Sequence, residues 1–174
     1  MQTHLKLPHI DAFGYYQFVT FRTDASVDAY VSKLLNEHNL KSSIKQYKID
    51  SYLDNSENGT YFHADILEYL YNFLKSLDGN LYELISFVIM PNHIHLLFKQ
   101  EKSLPETLRV IKSKSAREIN KLLKRSGKLW ASEYYDKVIR DEEHFVKVYT
   151  YIKNNAPKAG LRLEKRFYSK YEDD

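Results

Sequence analysis

The spacing of apolar residues changes along the chain between a period of two and a period of three to four. Alternating or β-branched and aromatic runs are typical of strands and cover residues 15–22, 81–98 and 128–139. Apolar positions three or four apart indicate amphipathic helices over residues 27–39, 63–77, 104–123 and 141–155. Strands and helices in this order predict an α+β fold, most simply an antiparallel sheet with helices on one face.

The segment that follows the first helix has no clear period. Residues 41–60 are polar and rich in Ser, Asn and Asp, and they allow a short strand or hairpin over residues 44–53. The hairpin over residues 81–98 is far better defined, because a Pro-Asn turn dipeptide separates two apolar runs.

Length and composition favour a single domain. The 174 residues are 43% hydrophobic, which is enough for a sizeable core. We therefore predict one compact domain over residues 1–174. The chain has no cysteine, which excludes disulfides, iron–sulfur clusters, thiolate zinc sites and cysteine nucleophiles. Its apolar runs have the length of strands and no secretory leader is recognisable, so we expect neither a membrane span nor export, and a cytoplasmic location.

The positive charge lies in the second part of the chain. The net charge is +3, but residues 101–174 carry eighteen Lys and Arg against twelve Asp and Glu. Such a basic helix face is either solvated or follows a phosphate backbone, and the sequence leaves both open. The candidate DNA-binding cations of the predicted helix 104–123 and its end are Arg109, Lys112, Lys114, Arg117, Lys121, Lys124 and Arg125.

Two histidines follow the turn dipeptide of the predicted hairpin. Side chains alternate across a strand, so His93 and His95 point to one face while Ile94 points to the other. Two imidazoles on one face can bind a divalent metal ion together. The alternative is a pair of solvent-facing histidines on a half-buried strand.

The last predicted helix carries a phenol and an amide on one face. Tyr151 and Asn155 are four residues apart and therefore project together. If this helix packs beside the face that bears His93 and His95, the Asn155 amide could complete a three-ligand metal site, with Tyr151 as a nucleophile. The alternative is that Tyr151 is one packing residue among fifteen tyrosines.

Three blocks of the sequence resemble a known family. They are VIMPNHIHLL at residues 88–97, Trp130 followed by YYDKVIRDEEH at residues 134–144, and YIKNNAPKAGL at residues 151–161. Together with the first strand near residues 18–23, they resemble the single-tyrosine HUH transposases. Within that group the chain is most similar to the REP-associated tyrosine transposases and their insertion-sequence-200-like relatives.

The resemblance implies a fold, a reaction and a cofactor. The fold is a ferredoxin-like, RRM-like antiparallel sheet. The metal, Mg²⁺ or Mn²⁺, would be bound by His93, His95 and Asn155. Tyr151 would attack a phosphodiester, form a 5′-phosphotyrosine and release a 3′-hydroxyl. The implied partner is single-stranded DNA beside a hairpin or palindrome at the end of a repeat or mobile element, and a second copy of the chain is a candidate partner.

The chain departs from the family pattern in two places. Ala156 stands between Asn155 and Pro157, where family members often have Pro directly after the Asn. The segment over about residues 24–60 is longer than the expected connection, so we predict an insertion there that serves DNA contact or dimerisation.

Two other functions fit parts of the sequence. One is a domesticated, inactive relative that binds hairpin nucleic acid as a regulator. The other is a small phosphoesterase with zinc and a water nucleophile, although no Asp, Glu or Cys lies close in sequence to the histidine pair. Only the transposase interpretation requires a covalent adduct between the protein and DNA.

Overall fold

The computed structural model describes residues 16–172. The strands are β1 (Tyr16–Thr23), β2 (Tyr82–Ile89), β3 (His93–Gln100), β4 (Trp130–Val138) and β5 (Phe167–Ser169). The helices are α1 (Ala29–Leu35), α2 (Ser42–Leu53), α3 (Ala64–Ser76), α4 (Leu104–Leu122) and α5 (Glu142–Lys158), and a 3-10 turn at Asp24–Ser26 follows β1.

All strand pairs in the sheet are antiparallel. The order across the sheet is β4-β1-β3-β2-β5. β3 is central and pairs with β1 on one side and with β2, its hairpin partner, on the other. The predicted hairpin, the strand over residues 128–139 and the α+β class are therefore confirmed.

The two faces of the sheet are covered by different helices. Val19 shares one core with Leu70 of α3 and Leu108 of α4, whereas Phe18 shares a second core with Ile152 of α5. The structure thus departs from the expectation that the helices cover one face. Consecutive strand residues such as Phe18 and Val19 point to opposite faces, and both are apolar, so each face needs a cover.

Residues 44–53, which the sequence allowed as a strand or hairpin, are helical and belong to α2. Ile49 and Leu53, four residues apart, pack against Val31 and Leu34 of α1 in a small third core. Residues four apart lie on one face of a helix. With only these two apolar residues on that face, the sequence pattern does not distinguish a helix from a strand. The helix predicted over residues 27–39 is present as α1, whereas the expected strand or hairpin after it is the helix α2.

The remaining elements differ from the predictions mainly at their ends. α1 is shorter than residues 27–39 because Asp28 caps it, accepting a hydrogen bond of 3.0 Å from the Val31 amide. α5 continues three residues beyond Asn155 with Pro157 in its last turn, and β5 was not predicted. Residue 15 of the first predicted strand lies outside the described residues. No helix in residues 16–172 is long and apolar enough to cross a membrane.

Candidate active site

His93 and His95 lie side by side at the start of β3. Both are fully buried, and their ring centroids are 4.9 Å apart. One ring nitrogen of each is held by a neighbour: His93 Nδ1 lies 2.7 Å from Asn92 Oδ1, and His95 Nδ1 lies 2.7 Å from Thr20 Oγ1. The Nε2 atoms of both rings are buried and have no hydrogen-bond partner among the described residues.

The hydrogen bonds of Asn92 fix the proton on the His93 ring. The Asn92 amide nitrogen donates to the carbonyl oxygens of Leu53, at 3.1 Å, and of Asn58, at 3.3 Å. Oδ1 of Asn92 is therefore the acceptor, and His93 Nδ1–H is the donor. In a neutral ring the free lone pair is then on Nε2, which is the form of histidine that binds a metal.

Both rings are held neutral by their surroundings. Burial and, to a smaller extent, the positive charge of Arg22 together lower the pKa of His95 to about 3. Burial also lowers the pKa of His93 well below its ordinary value, with smaller contributions from His95 and Arg22. Two neutral imidazoles are thus present at the site.

The last helix faces this pair, as the sequence analysis required. The ring of Tyr151 in α5 lies 5.2 Å from the ring of His95, centroid to centroid. Asn155, one turn further on, is 6% exposed, and its Oδ1 is buried without a hydrogen-bond partner. The structure therefore places Tyr151 beside the histidine pair, and Asn155 lines the same cleft as Tyr151.

Two carboxylates, Asp50 of α2 and Asp54 directly after this helix, also lie at the site, and sequence reasoning missed both. Asp50 Oδ2 accepts a 2.8 Å hydrogen bond from the Tyr151 hydroxyl and lies 3.9 Å from His95 Nε2. Asp54 Oδ1 lies 3.7 Å from His93 Nε2. One ligand atom each from Asp50, His93 and His95 lies within 4.8 Å of the other two. No acid lies close to the histidines in sequence, as noted above, but two acids lie close to them in the folded structure.

Burial shifts the pKa of every acid in this site upward. The pKa of Asp50 is raised to about 7 by burial, which outweighs the hydrogen bond from Tyr151 and the charge of Arg22. The pKa of Asp54 is raised to about 6, also by burial. Burial and the nearby Asp50 raise the pKa of the Tyr151 phenol above its ordinary value. The positive charges of Arg22, near Asp50, and of Lys158, near Asp54, therefore do not offset the effect of burial.

A metal ion fits this arrangement. Asp50 and the two imidazoles offer ligand atoms within 4.8 Å of one another, and both Nε2 atoms and Asn155 Oδ1 are buried without a hydrogen-bond partner among residues 16–172. Unpaired buried polar atoms are costly, and a cation would satisfy all of them at once. A mixed set of nitrogen and oxygen ligands without sulfur is compatible with Mg²⁺ or Mn²⁺.

A sequence model of the family described as "Transposase IS200 like" matches residues 56–155. The chain belongs to the IS200-like transposase family. The matched segment contains the histidine pair, Tyr151 and Asn155, and it begins after both Asp50 and Asp54. The resemblance inferred from the sequence is thereby confirmed. No curated protein matches the chain.

Solved structures with a similar fold include two transposases. A REP-associated tyrosine transposase bound to a REP hairpin matches with a TM-score of 0.51 and 14% identity over 90% of this chain and 75% of that one. A putative transposase from Deinococcus radiodurans matches with a TM-score of 0.38 and 17% identity over 89% and 98% of the two chains. At 14% identity, the match to the REP-associated transposase shows that this IS200-like protein has a similar fold.

A buried arginine lies beside the site of this IS200-like protein. Arg22 of β1 pairs in register with His93 and is only 2% exposed. Its Nη2 donates to Gln46 Oε1 at 3.1 Å, while Nε and Nη1 have no hydrogen-bond partner among the described residues. Its charge favours neutral histidines and an ionised Asp50. Arg22 is the only cation in the mostly apolar strand β1, and this position was the sequence signal for a buried charge.

The basic helix α4 lies on the other face of the sheet. Its apolar side packs in the core that contains Val19, on the side away from His93 and His95. Lys112 donates to the Ala131 carbonyl at 2.9 Å, and Arg125 donates to Asn120 Oδ1 at 2.8 Å, so both are only partly free. The predicted cations that remain exposed are Arg109, Lys114, Arg117, Lys121 and Lys124.

Proposed function

We propose that this transposase-family protein cleaves and rejoins single-stranded DNA next to a hairpin, with Tyr151 as the nucleophile. The observation that carries the proposal is that the Tyr151 ring lies 5.2 Å from the His95 ring, next to the two buried Nε2 atoms, with Asn155 on the same cleft as Tyr151. Such a set of metal ligands beside a phenol suits phosphoryl transfer, because positioning and charge stabilisation supply most of the catalysis in that reaction.

The ligand set of the site is His93, His95 and Asn155, with Asp50 as a fourth candidate. A bound Mg²⁺ or Mn²⁺ would polarise a phosphoryl oxygen and stabilise the negative charge that develops there. Asn92 and Thr20 hold the two imidazole rings so that Nε2 faces the site. Neutral rings need not release a proton when they bind the ion.

The reaction exchanges one phosphodiester for another. The Tyr151 oxygen bonds to phosphorus, the bond from phosphorus to the 3′ oxygen breaks, and the phenol loses a proton while the departing oxygen gains one. The product is a 5′-phosphotyrosine and a free 3′-hydroxyl, and attack by a 3′-hydroxyl reverses the step. The exchange needs no oxidant. The pKa of Tyr151 is raised in the protein alone, so its phenol loses a proton less readily. A nearby cation would lower that pKa and favour the phenolate.

A hairpin beside the cleaved strand is the second part of the proposal. The REP-associated transposase with the similar fold is bound to a REP hairpin. In this chain, the exposed cations of α4 suit the phosphates of such a stem. Hairpin recognition and strand cleavage would then occur on two faces of the protein.

The decisive experiment looks for the covalent intermediate. The protein is incubated with 5′- or 3′-labelled DNA that carries a hairpin and an unpaired flank, with Mg²⁺ or Mn²⁺, and then denatured. We expect an adduct that resists denaturation and carries the label of the strand on the 3′ side of the break. Metal chelation should abolish it, and fully duplex DNA should not form it.

The matched control is a second tyrosine of the same helix. Tyr149 lies two residues before Tyr151, and its hydroxyl bonds to Ser169 Oγ at 2.7 Å, away from the histidines. Tyr151→Phe should abolish the adduct, and Tyr149→Phe should retain it. Hairpin binding without any adduct from the unmodified protein would favour the regulator, and metal-dependent hydrolysis without an adduct would favour the phosphoesterase.

A further inference from the structure

Two clefts adjoin at Tyr151, one on each side of its hydrogen bond to Asp50. The first is bordered by Asp54, Asn155 and Lys158, and the second by Phe18 and Tyr135. Three residues line both clefts: Tyr47 of α2, and Lys147 and Tyr151 of α5. The two clefts therefore flank one passage that runs between α2 and α5 past the Tyr151 side chain.

α2 closes the direct route to the histidines. Gln46 and Asp50 of α2 are buried against the site, where Gln46 accepts from Arg22 and Asp50 accepts from Tyr151. Tyr151 itself is only partly buried. A phosphodiester that is to reach its hydroxyl must therefore approach along α5, through one or both clefts.

The rim of this passage combines an aromatic ring with cations. Tyr47 is 54% exposed, and Lys158 Nζ lies 5.6 Å from the centre of its ring. Lys147 is 73% exposed and pairs at 3.3 Å only with the still more exposed Glu143, an ion pair that is weak in water. The acids of the clefts are Asp50 and Asp54, which lie deep beside the histidines.

We propose that an unpaired DNA strand occupies these two clefts, with one base stacked on Tyr47 and its neighbouring phosphates at Lys147 and Lys158. This inference rests on the proposed function, because the strand is the one that Tyr151 cleaves. Bases of any identity stack on an exposed aromatic ring, and lysines at the same cleft attract the phosphates of a single strand. α2 precedes the family-matched residues, so Tyr47 is a contact that the matched segment does not supply.

The proposal separates the two roles of DNA contact. The cleft holds the single strand at Tyr151, while the stem of the hairpin is left to other surfaces. An oligonucleotide without any hairpin should therefore bind through the cleft alone. The probe is a fluorescein-labelled oligothymidylate of about twelve nucleotides, measured by anisotropy in the Tyr151→Phe background, so that covalent capture does not add to the binding.

The variants test stacking and charge separately. Tyr47→Ala should weaken binding about tenfold, which is within the range for loss of one stacked base, and Tyr47→Phe should restore it. Tyr30→Ala is the control, because Tyr30 is a comparably exposed tyrosine on α1 that borders neither cleft. Lys147→Ala with Lys158→Ala should reduce the slope of log affinity against log salt by about 1.4, or about 0.7 for each lost phosphate contact.

A double variant with the same charge change is the second control. Lys33→Ala with Lys48→Ala removes two exposed lysines of α1 and α2 that line neither cleft, and it should leave the salt slope nearly unchanged. Equal effects of the cleft variants and their controls would overturn the proposal. If the unmodified protein forms the adduct while the cleft variants bind normally, this inference fails and the proposed function stands. If no adduct forms but the cleft variants bind weakly, the proposed function fails and the cleft stands.

Discussion

The hydroxyl of Tyr151 donates a 2.8 Å hydrogen bond to Asp50, a residue 101 positions earlier in the chain. The same carboxylate oxygen lies 3.9 Å from His95 Nε2, so Asp50 connects the proposed nucleophile to the proposed metal ligands. α2, which carries Asp50, lies before the residues that match the transposase family. The site of this protein therefore has one wall that the family segment does not provide.

If Asp50 is a metal ligand, Asp50→Asn should weaken Mn²⁺ binding by about tenfold or more, because the side chain keeps its shape but loses its charge. Titration calorimetry of the protein without DNA measures this affinity. Asp65→Asn is the control, because Asp65 is an exposed acid in the first turn of α3. Equal affinities for the two variants would remove Asp50 from the ligand set.

The pH dependence of metal binding should follow Asp50 and not the histidines. The pKa of Asp50 is raised to about 7, and its carboxylate must be ionised to bind a cation. His95, with its pKa lowered to about 3, is already neutral at that pH. Mn²⁺ affinity should be highest above about pH 7 and should fall, by up to about tenfold per unit, as pH decreases through that value.

Asp50→Asn distinguishes the two possible origins of this dependence. An ordinary histidine pKa of about 6.5 would cause a similar loss of affinity at acid pH. If the carboxylate is responsible, the dependence near pH 7 should disappear in Asp50→Asn. Its persistence in that variant would assign the proton to an imidazole.

The histidine pair should matter more to metal binding than the amide. His93→Ala and His95→Ala should each abolish metal-dependent cleavage and measurable Mn²⁺ binding, whereas Asn155→Ala should weaken both, because an amide oxygen is a poorer ligand than an imidazole. Electron paramagnetic resonance of bound Mn²⁺ reports the binding directly. Stronger binding in a histidine variant than in Asn155→Ala would reverse this order of importance.

The local part of the site was predictable from the sequence. A turn dipeptide between two apolar runs defines the hairpin, and strand alternation then places His93 and His95 on one face. The four-residue spacing of Tyr151 and Asn155 places both on one side of α5 in the same way. That α5 packs on the face with the histidines depends on the second core around Phe18 and Ile152, which no local pattern reports.

The two acids at α2 were missed because this helix has few apolar residues, and so its helical spacing is hard to recognise in the sequence. Gln46, Asp50 and Asp54 lie at four-residue intervals and form one polar stripe, which faces the site once residues 42–53 are helical. As a strand, the same residues would also share one face, but successive ones would be about 13 Å apart instead of one helical turn. A single error in the element type therefore concealed two acids of the site.

Charge reversal on α4 tests whether this helix holds the hairpin stem. Lys114→Glu with Arg117→Glu should weaken binding to all hairpins about equally, because phosphate contacts position DNA without reading its bases. Since α4 lies on the face away from Tyr151, binding of a strand without a hairpin should change much less. Anisotropy with hairpins of different stem sequence measures both effects, and a loss of discrimination among hairpins would show instead that α4 reads sequence.

Gly59 should be the glycine that tolerates a side chain least. It has a φ of +64°, and an added Cβ would meet Thr23 Oγ1 at 2.3 Å and the Ser26 amide nitrogen at 2.8 Å. Its carbonyl also accepts a 3.0 Å hydrogen bond from Thr23, so the chain after α2 is held close to the end of β1. Gly59→Ala must therefore bear both the cost of a left-handed backbone and a steric clash.

Gly79→Ala isolates the backbone cost. Gly79 has a φ of +81°, and nothing lies within 4 Å of an added Cβ, so only the cost of the left-handed conformation, about 1–2 kcal/mol, is expected. Gly59→Ala should lower the free energy of unfolding by at least about 1 kcal/mol more, since a clash in a packed region costs about 1–3 kcal/mol. Urea unfolding of both variants measures the difference. Equal losses would mean that the segment around Gly59 moves away from β1 at little cost, and that other contacts, such as Asp50 with Tyr151 and Gln46 with Arg22, hold α2 over the site.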